Sequence, residues 1–172
     1  MRSEERRSRH ANGIAARIGL FAALLAVACI ASAQKYAGPR PPKPDLPYLK
    51  HAENLIPTEA GEAQEEKGKK DDITYVIAGA SSSAKTPLAS PILLMESQKL
   101  SADKLELYKV EVRNGRRELT VSPKHPAKAI RVTVTKLSSD GLYKLEVDES
   151  LDAGEYTFTP AGENRVFCFQ VF

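Results

Sequence analysis

The sequence predicts an all-β protein, an antiparallel sandwich or barrel, on three observations. From Ile73 onward, short apolar runs recur at intervals of about ten residues. Tight-turn signals separate these runs, and Asn114-Gly115 is the strongest because both residues tolerate a positive φ. Almost no segment shows the helical period of apolar residues. Eight strand candidates without helices are typical of antiparallel β architectures.

Residues 1–33 have the pattern of an export signal. Five arginines precede or flank an uncharged stretch at residues 18–30, and Ala31-Ser32-Ala33 before Gln34 forms a small-residue cleavage site. We therefore expect a signal peptide that is removed, a mature chain that begins at Gln34, and a periplasmic or extracellular location.

Three alternatives for this leader stay open. Ala26-Val27-Ala28 before Cys29 loosely resembles a lipoprotein cleavage site, which would leave a lipid anchor on Cys29. Arg6-Arg7 suggests twin-arginine export, although the flanking residues fit that pattern poorly. An uncleaved anchor is disfavoured because the apolar run has about 13 residues and a spanning helix needs about 20. We expect membrane contact only through the transient signal peptide or that lipid.

Charge and cysteine content exclude two classes of protein. The chain has 25 basic and 22 acidic residues; five and two of these lie in residues 1–33, which leaves 20 of each. A neutral mature chain lacks the cationic excess of nucleic-acid-binding proteins. Because Cys168 is the single cysteine after residue 33, the mature chain has no intramolecular disulfide scaffold. About 139 mature residues suffice for one hydrophobic core.

Residues 34–72 are predicted to form an extended, partly mobile arm before a β domain at residues 73–172. Five prolines in residues 35–47 favour a polyproline-like spacer, with docking into a partner's aromatic groove as the alternative. Residues 58–72 are almost wholly polar. This segment is either a short exposed helix that begins at Thr58 or a polar hairpin that turns at Gly68.

The strands of the β domain are predicted from apolar alternation and from the turns between them. Alternation is cleanest at residues 130–135, where Ile130, Val132 and Val134 share one face. Asp140-Gly141 marks the next turn. The last run is apolar on both faces except at Gln170. The predicted strands are residues 73–78, 91–96, 105–113, 116–121 and 130–135, the strands with Tyr143, Leu145 and Val147 and with Tyr156 and Phe158 on their inner faces, and residues 166–172.

One segment resembles the tyrosine corner of immunoglobulin-like sandwiches. In Leu151-Asp152-Ala153-Gly154-Glu155-Tyr156, the tyrosine stands near the start of a late strand, where such domains fold its hydroxyl back onto the upstream loop. The resemblance implies an immunoglobulin-like β-sandwich of about 7–8 strands. The expected mature chain lacks the Trp and the second cysteine of antibody domains. It is also similar to secreted bacterial proteins that end in such a sandwich, which implies no activity.

The sequence offers few of the residues that nucleophilic catalysis requires. A serine nucleophile needs an adjacent base, and the mature chain offers His51 and His125. Ser81-Ser82-Ser83 lacks the glycine-flanked elbow of a catalytic serine, and His125 lies in a predicted turn. Cys168 lies between Phe167 and Phe169, so we expect a buried, inert thiol. We therefore expect a protein that is not an enzyme.

A carboxylate cluster is the best candidate for a metal site. It lies on a predicted loop and comprises Asp148, Glu149, Asp152 and Glu155. Its spacing does not match the regular calcium loop, so we expect solvated acids. The sequence assigns no catalytic, cofactor-binding or metal-binding residue and no cofactor.

The function expected from these observations is that of an exported, non-catalytic binding, adhesion or structural module of the cell envelope. Its partner would be an envelope protein or a glycan, and nucleic acid is not expected. A calcium-stabilised β-sandwich domain is the alternative, and a secreted hydrolase is a more distant one.

Overall fold

The computed structural model describes residues 36–68, 71–124 and 126–172, and the described residues form an all-β fold of thirteen strands. The predicted leader, with Cys29 and the cleavage site, lies outside them. In chain order the strands are β1 (Tyr48–His51), β2 (Asn54–Pro57), β3 (Glu59–Glu62), β4 (Gln64–Lys67), β5 (Ile73–Ile77), β6 (Lys85–Thr86), β7 (Ile92–Glu96), β8 (Leu105–Arg113), β9 (Arg116–Val121), β10 (Val132–Lys136), β11 (Leu142–Val147), β12 (Gly154–Pro160) and β13 (Arg165–Val171).

The all-β class is confirmed, and each of the eight predicted strands has a counterpart in β5 or β7–β13. The strand count of seven to eight has to be corrected to thirteen in the described residues. The additional strands are β1–β4 and β6. Each has four residues or fewer, which is too short for a period of two to stand out from the sequence.

The strands form two sheets, one of five strands in the order β10-β11-β7-β1-β2 and one of eight. The larger sheet runs β3-β13-β12-β8-β9-β5-β4, and β6 adds to β13 beside β3. All ladders are antiparallel except that between β6 and β13. The antiparallel pairing predicted from the turn signals is therefore confirmed.

The larger sheet curls into a half-barrel. Its first and last strands, β3 and β4, are consecutive in the chain and are separated by Ala63 alone. The Ala63 amide donates to the Asn164 carbonyl at 2.8 Å instead of to a ladder partner. One bent segment thus pairs with β13 before Ala63 and with β5 after it. The curled sheet and the thirteen described strands distinguish this fold from the expected immunoglobulin-like sandwich of about 7–8 strands.

Two apolar cores result from this curl. The main core lies between the sheets, where Leu93 and Leu145 pack with Phe158 and Phe169. The smaller core lies inside the curl and contains Val166, Cys168, Ala63, Ile77 and Val110. β13 contributes to both cores, which explains why its sequence is apolar on both faces.

The expected boundary between arm and domain at Ile73 also has to be corrected. Residues 48–67 contribute β1 and β2 to the smaller sheet and β3 and β4 to the curled one. Upstream, Asp45 donates its amide to the Glu96 carbonyl at 2.7 Å, and Leu46 packs against the main core. The polar-hairpin alternative at Gly68 is confirmed, since β4 and β5 pair and the Gly68 amide donates to the Asp72 carbonyl.

Three local predictions are confirmed. Asn114 and Gly115 connect β8 to β9 with φ values of 50° and 77°, as the hairpin signal requires. Tyr156 is buried, and its hydroxyl donates to the Asp152 carbonyl at 2.8 Å. In β11, Leu145 and Val147 are buried and Tyr143 packs against the main core. The tyrosine-corner geometry is therefore present even though the surrounding sheet is curled.

Candidate functional site

The inner face of the curled sheet carries the candidate site. Because side chains alternate along a strand, the ladder register determines which residues share this face. Thr157 of β12 lies opposite Tyr108 of β8 and Cys168 of β13, and Cys168 lies opposite Glu59 of β3. These four side chains therefore belong to one interior surface.

An ion cluster lies at one end of this interior. The buried guanidinium of Arg117 donates from Nη2 to Glu59 Oε1 at 2.6 Å and to the Ala78 carbonyl at 2.6 Å. Glu155 is buried beside it, with Oε2 3.8 Å from Arg117 Nη1 and 3.0 Å from the Ser82 amide that donates to it. Within the described residues, Arg117 Nη1 and Glu155 Oε1 are buried without a hydrogen-bond partner. These groups occupy the interior at this end.

The middle of the interior is apolar and contains the one described cysteine. Cys168 is fully buried, and its thiol donates to Thr157 Oγ1 at 3.5 Å. Burial raises the pKa of this thiol, and the hydrogen bond to Thr157 and the charge of Arg117 offset the rise only in part. The buried thiol expected from the sequence is therefore confirmed.

A cavity of about 330 Å³ opens at the other end of the interior. Its volume falls at the lower end of the range for small-ligand sites, about 300–1000 Å³. Ile77, Leu119 and Val166 form part of its apolar lining, and the carboxylates of Glu65 and Glu106 are among its polar groups. Such a combination of apolar wall and few polar groups is the usual composition of a binding pocket.

The cavity exists because β8 and β9 separate from each other. Their ladder contains three residue pairs, all next to the Asn114-Gly115 turn, and it ends at Glu111 and Glu118. Beyond this point β8 pairs with β12, whereas β9 pairs with β5. Tyr108 of β8 and Leu119 of β9 line the space that opens between the strands.

The cavity is negatively charged. Its described lining contains Glu65, Glu106 and Glu163 and no Lys, Arg or His. The Tyr108 hydroxyl donates to Glu106 Oε2 at 2.8 Å. Burial raises the pKa of Tyr108 to about 12, and the hydrogen bond and charge of Glu106 act in the same direction. Tyr108 therefore remains a neutral phenol at physiological pH.

The serines and the histidine considered from the sequence do not come together in the described structure. His51 Nε2 hydrogen-bonds with Thr86 Oγ1 at 2.9 Å. Ser82 Oγ donates to the Cys168 carbonyl, and the Ser83 amide donates to Glu59. Among the described residues, no hydrogen bond joins His51 to a serine of this loop. His125 lies outside the described residues.

The carboxylate cluster considered as a metal site is divided between two environments. Asp152 is exposed, with Oδ2 3.6 Å from Lys109 Nζ. Glu155 belongs to β12 and points into the curled sheet toward Arg117, which corrects its expected place on a solvated loop. In the part of the chain that the structure describes, no group of three or more His, Cys, Asp or Glu side chains could hold a metal ion.

Sequence reasoning missed the charged residues of the interior. Arg117 alternates with Leu119 and Val121 along β9, so the period of two could have placed it on the apolar face. Tyr75 alternates in the same way with Ile73 and Ile77 along β5, whereas the wholly polar β4 gives no such signal for Glu65. Their position in the cavity depends on the ladders of β4 and β5 with other strands, which a single sequence does not reveal.

The comparisons with known proteins give no match. No protein-family model, no curated protein and no solved structure is similar to this chain. Within the described residues, no helix has the length and apolar character required to cross a membrane.

Proposed function

We propose that this chain is an exported, non-catalytic binding module of the cell envelope and that it binds its partner through the cavity of the curled sheet. The observation that carries the proposal is the cavity itself, an apolar space of about 330 Å³ with a few polar groups at one end of the interior. The hydrogen bonds of His51 and Ser82 to other groups support a binding role over hydrolysis.

Several expectations from the sequence belong to this proposal. The partner is an envelope protein or a glycan, and the chain reaches the envelope through the leader at residues 1–33. We also propose that the fold is related to immunoglobulin-like sandwiches. The hydrogen bond from the Tyr156 hydroxyl to the Asp152 carbonyl supports this relation. Intact mass of protein from the native envelope tests export. A chain that begins at Gln34 supports soluble export, and one that retains residues 1–33 contradicts it.

Affinity capture from the native envelope tests the binding site. Leu119→Trp fills the cavity, so we expect it to lose the partner that the wild-type chain retains. Leu88→Trp is the matched control because Leu88 is exposed and is not among the cavity residues. Ala127→Trp narrows the cavity from the loop before β10 and serves if Leu119→Trp does not fold.

The outcome depends on the comparison between these variants. Loss of the partner in a folded cavity variant, with retention in Leu88→Trp, supports binding in the cavity. Equal capture by the wild-type chain and both folded cavity variants would show that the partner binds elsewhere. Circular dichroism and a cooperative melting transition establish that each variant is folded.

A further inference from the structure

We propose that the cavity of the curled sheet selects an organic cation, an ammonium group on an apolar stem. This inference rests on the proposed function, because it names the chemistry that the same cavity binds. It follows from three features of the lining: its charge, the position of one aromatic ring beside a carboxylate, and the apolar side chains of the neighbouring strands.

The charge of the lining favours a cation over an anion. Among its three carboxylates, Glu163 forms an ion pair with Arg165 at 3.2 Å, and Glu106 accepts a hydrogen bond from the Tyr108 hydroxyl. Glu65 has no ion-pair partner among the described residues. The carboxylates of Glu65, Glu106 and Glu163 are exposed, so they attract an opposite charge as surface charges do, and salt screens this attraction.

The ladder register places side chains of different chemistry next to one another across the cavity. Tyr75 lies directly opposite Glu65 of β4 on one side and directly opposite Leu119 of β9 on the other. A carboxylate, an aromatic ring and an aliphatic side chain thus follow one another across three neighbouring strands. All three line the cavity.

This row matches an ammonium group attached to an apolar stem. The ammonium group can lie against the Glu65 carboxylate and the face of the Tyr75 ring, since aromatic rings attract cations. The stem can pack on Leu119, Ile77 and Val166, which are the apolar side of the cavity. A neutral molecule of the same shape would gain the apolar contacts alone, and an anion would be repelled.

Three probes of similar size and different charge test the selection: phenethylammonium, 2-phenylethanol and phenylacetate. Their affinities for the mature protein are measured by NMR titration at low salt. We expect phenethylammonium to bind about tenfold more tightly than the alcohol, and phenylacetate to bind most weakly. Added salt should weaken the binding of the cation alone, because salt screens charge interactions.

Glu65→Gln tests the carboxylate. We expect it to weaken phenethylammonium binding by about threefold and to leave the affinity for 2-phenylethanol unchanged. Glu53→Gln is the matched control, since it removes the same charge at the β1–β2 turn of the other sheet. Equal loss in both variants would show that only the net charge of the protein attracts the probe, and this result would overturn the inference.

The ammonium group can come from a free amine or from a lysine side chain of an envelope protein. Dialysis of the envelope extract distinguishes these sources, because it removes a free amine and retains the lysines of envelope proteins. Capture of a protein that persists after dialysis and is displaced by phenethylammonium supports a lysine, whereas a ligand recovered from the undialysed extract alone supports a free amine. Both results support the selection of a cation.

Three further results separate this inference from the proposed function. If 2-phenylethanol binds as tightly as phenethylammonium, the cavity does not select a cation, but it can still be the binding site. If no probe binds but Leu119→Trp still loses the captured partner, the inference of cation selection is wrong and the proposed function stands. Capture that is insensitive to Leu119→Trp and Ala127→Trp overturns the proposed function itself.

Discussion

Tyr156 joins the start of β12 to the loop that precedes it. Its ring is stacked near Phe169 in the main core, with centroids 5.6 Å apart, and its hydroxyl donates to the Asp152 carbonyl. Tyr156→Phe keeps the ring and leaves that carbonyl without this donor. We predict a loss of about 1–3 kcal/mol in the free energy of unfolding, measured with urea.

Tyr143→Phe provides the control for this loss. Tyr143 is partly buried against the same core, and its hydroxyl makes no hydrogen bond among the described residues. Equal stabilities of Tyr156→Phe and Tyr143→Phe would argue against a structural role for the corner hydrogen bond.

Arg117 is the nearest cation to the buried carboxylate of Glu155, and it also donates a hydrogen bond to Glu59. Arg117→Met leaves the Glu155 carboxylate buried without its nearest cation, which lies 3.8 Å away in the wild-type chain. We predict a loss of about 3–5 kcal/mol in the free energy of unfolding. Adding Glu155→Gln to this variant should recover part of the loss, because the uncompensated charge is removed. Wild-type stability of the single variant would contradict this account.

At the scale of elements, Asp45 fixes the loop between β7 and β8. Its Oδ1 accepts the amides of Gln98, Lys99 and Leu100 at 2.8, 3.0 and 2.9 Å. Burial alone would raise the pKa of this carboxyl, but the three amides outweigh burial and hold the pKa below its ordinary value of 3.8. The segment before β1 is therefore attached to the loop that leads into β8 of the curled sheet.

This attachment predicts a pH dependence. Because the pKa of Asp45 is lower in the folded state, its contribution to stability is fully present above pH 3.8 and is lost as the pH falls through the folded-state value. Asp45→Asn should be less stable than the wild-type chain at pH 7. The difference should shrink below about pH 4. A difference that stays constant from pH 7 to about pH 2 would contradict the role of the charge.

The elements that could be predicted from the sequence are those with strong alternation or a strong turn signal. β10 and β11 alternate clearly, and Asn114-Gly115 marks the β8–β9 turn, so all were identified. β4 could not be identified because its four residues are polar and exposed. It is held by backbone pairing with β5, and a single sequence carries little information about such pairing.

At the scale of the whole molecule, the curl could not be predicted because it depends on Ala63. The amide of this residue leaves the ladder and bonds to Asn164, which allows β3 and β4 to pair with strands at opposite ends of the sheet. The cavity depends on the same curl. Several cavity residues were predicted as strand residues, but the sequence gave no sign that they line one space. They are Tyr75, Ile77, Glu106, Tyr108, Leu119, Val121 and Val166.

The N-terminal strands are predicted to be indispensable for folding. A fragment of residues 73–172 lacks β1–β4, so it exposes Leu93 and its neighbours and leaves the edges of β5 and β13 unpaired. We predict that this fragment gives no cooperative unfolding transition, whereas residues 36–172 melt like the mature chain. A stable 73–172 fragment with the same midpoint would restore the domain boundary expected from the sequence.

The cavity of the curled sheet is the centre of this account, and methyl NMR with phenethylammonium tests it most directly. The spectra report on Ile77, Leu119 and Val166 in the cavity and on Leu93 and Leu145 between the sheets. We predict saturable shifts of the cavity methyl groups and none of Leu93 or Leu145. Shifts that are confined to Leu93 and Leu145, or the absence of saturable shifts at any methyl group, would contradict binding of an organic cation in the cavity.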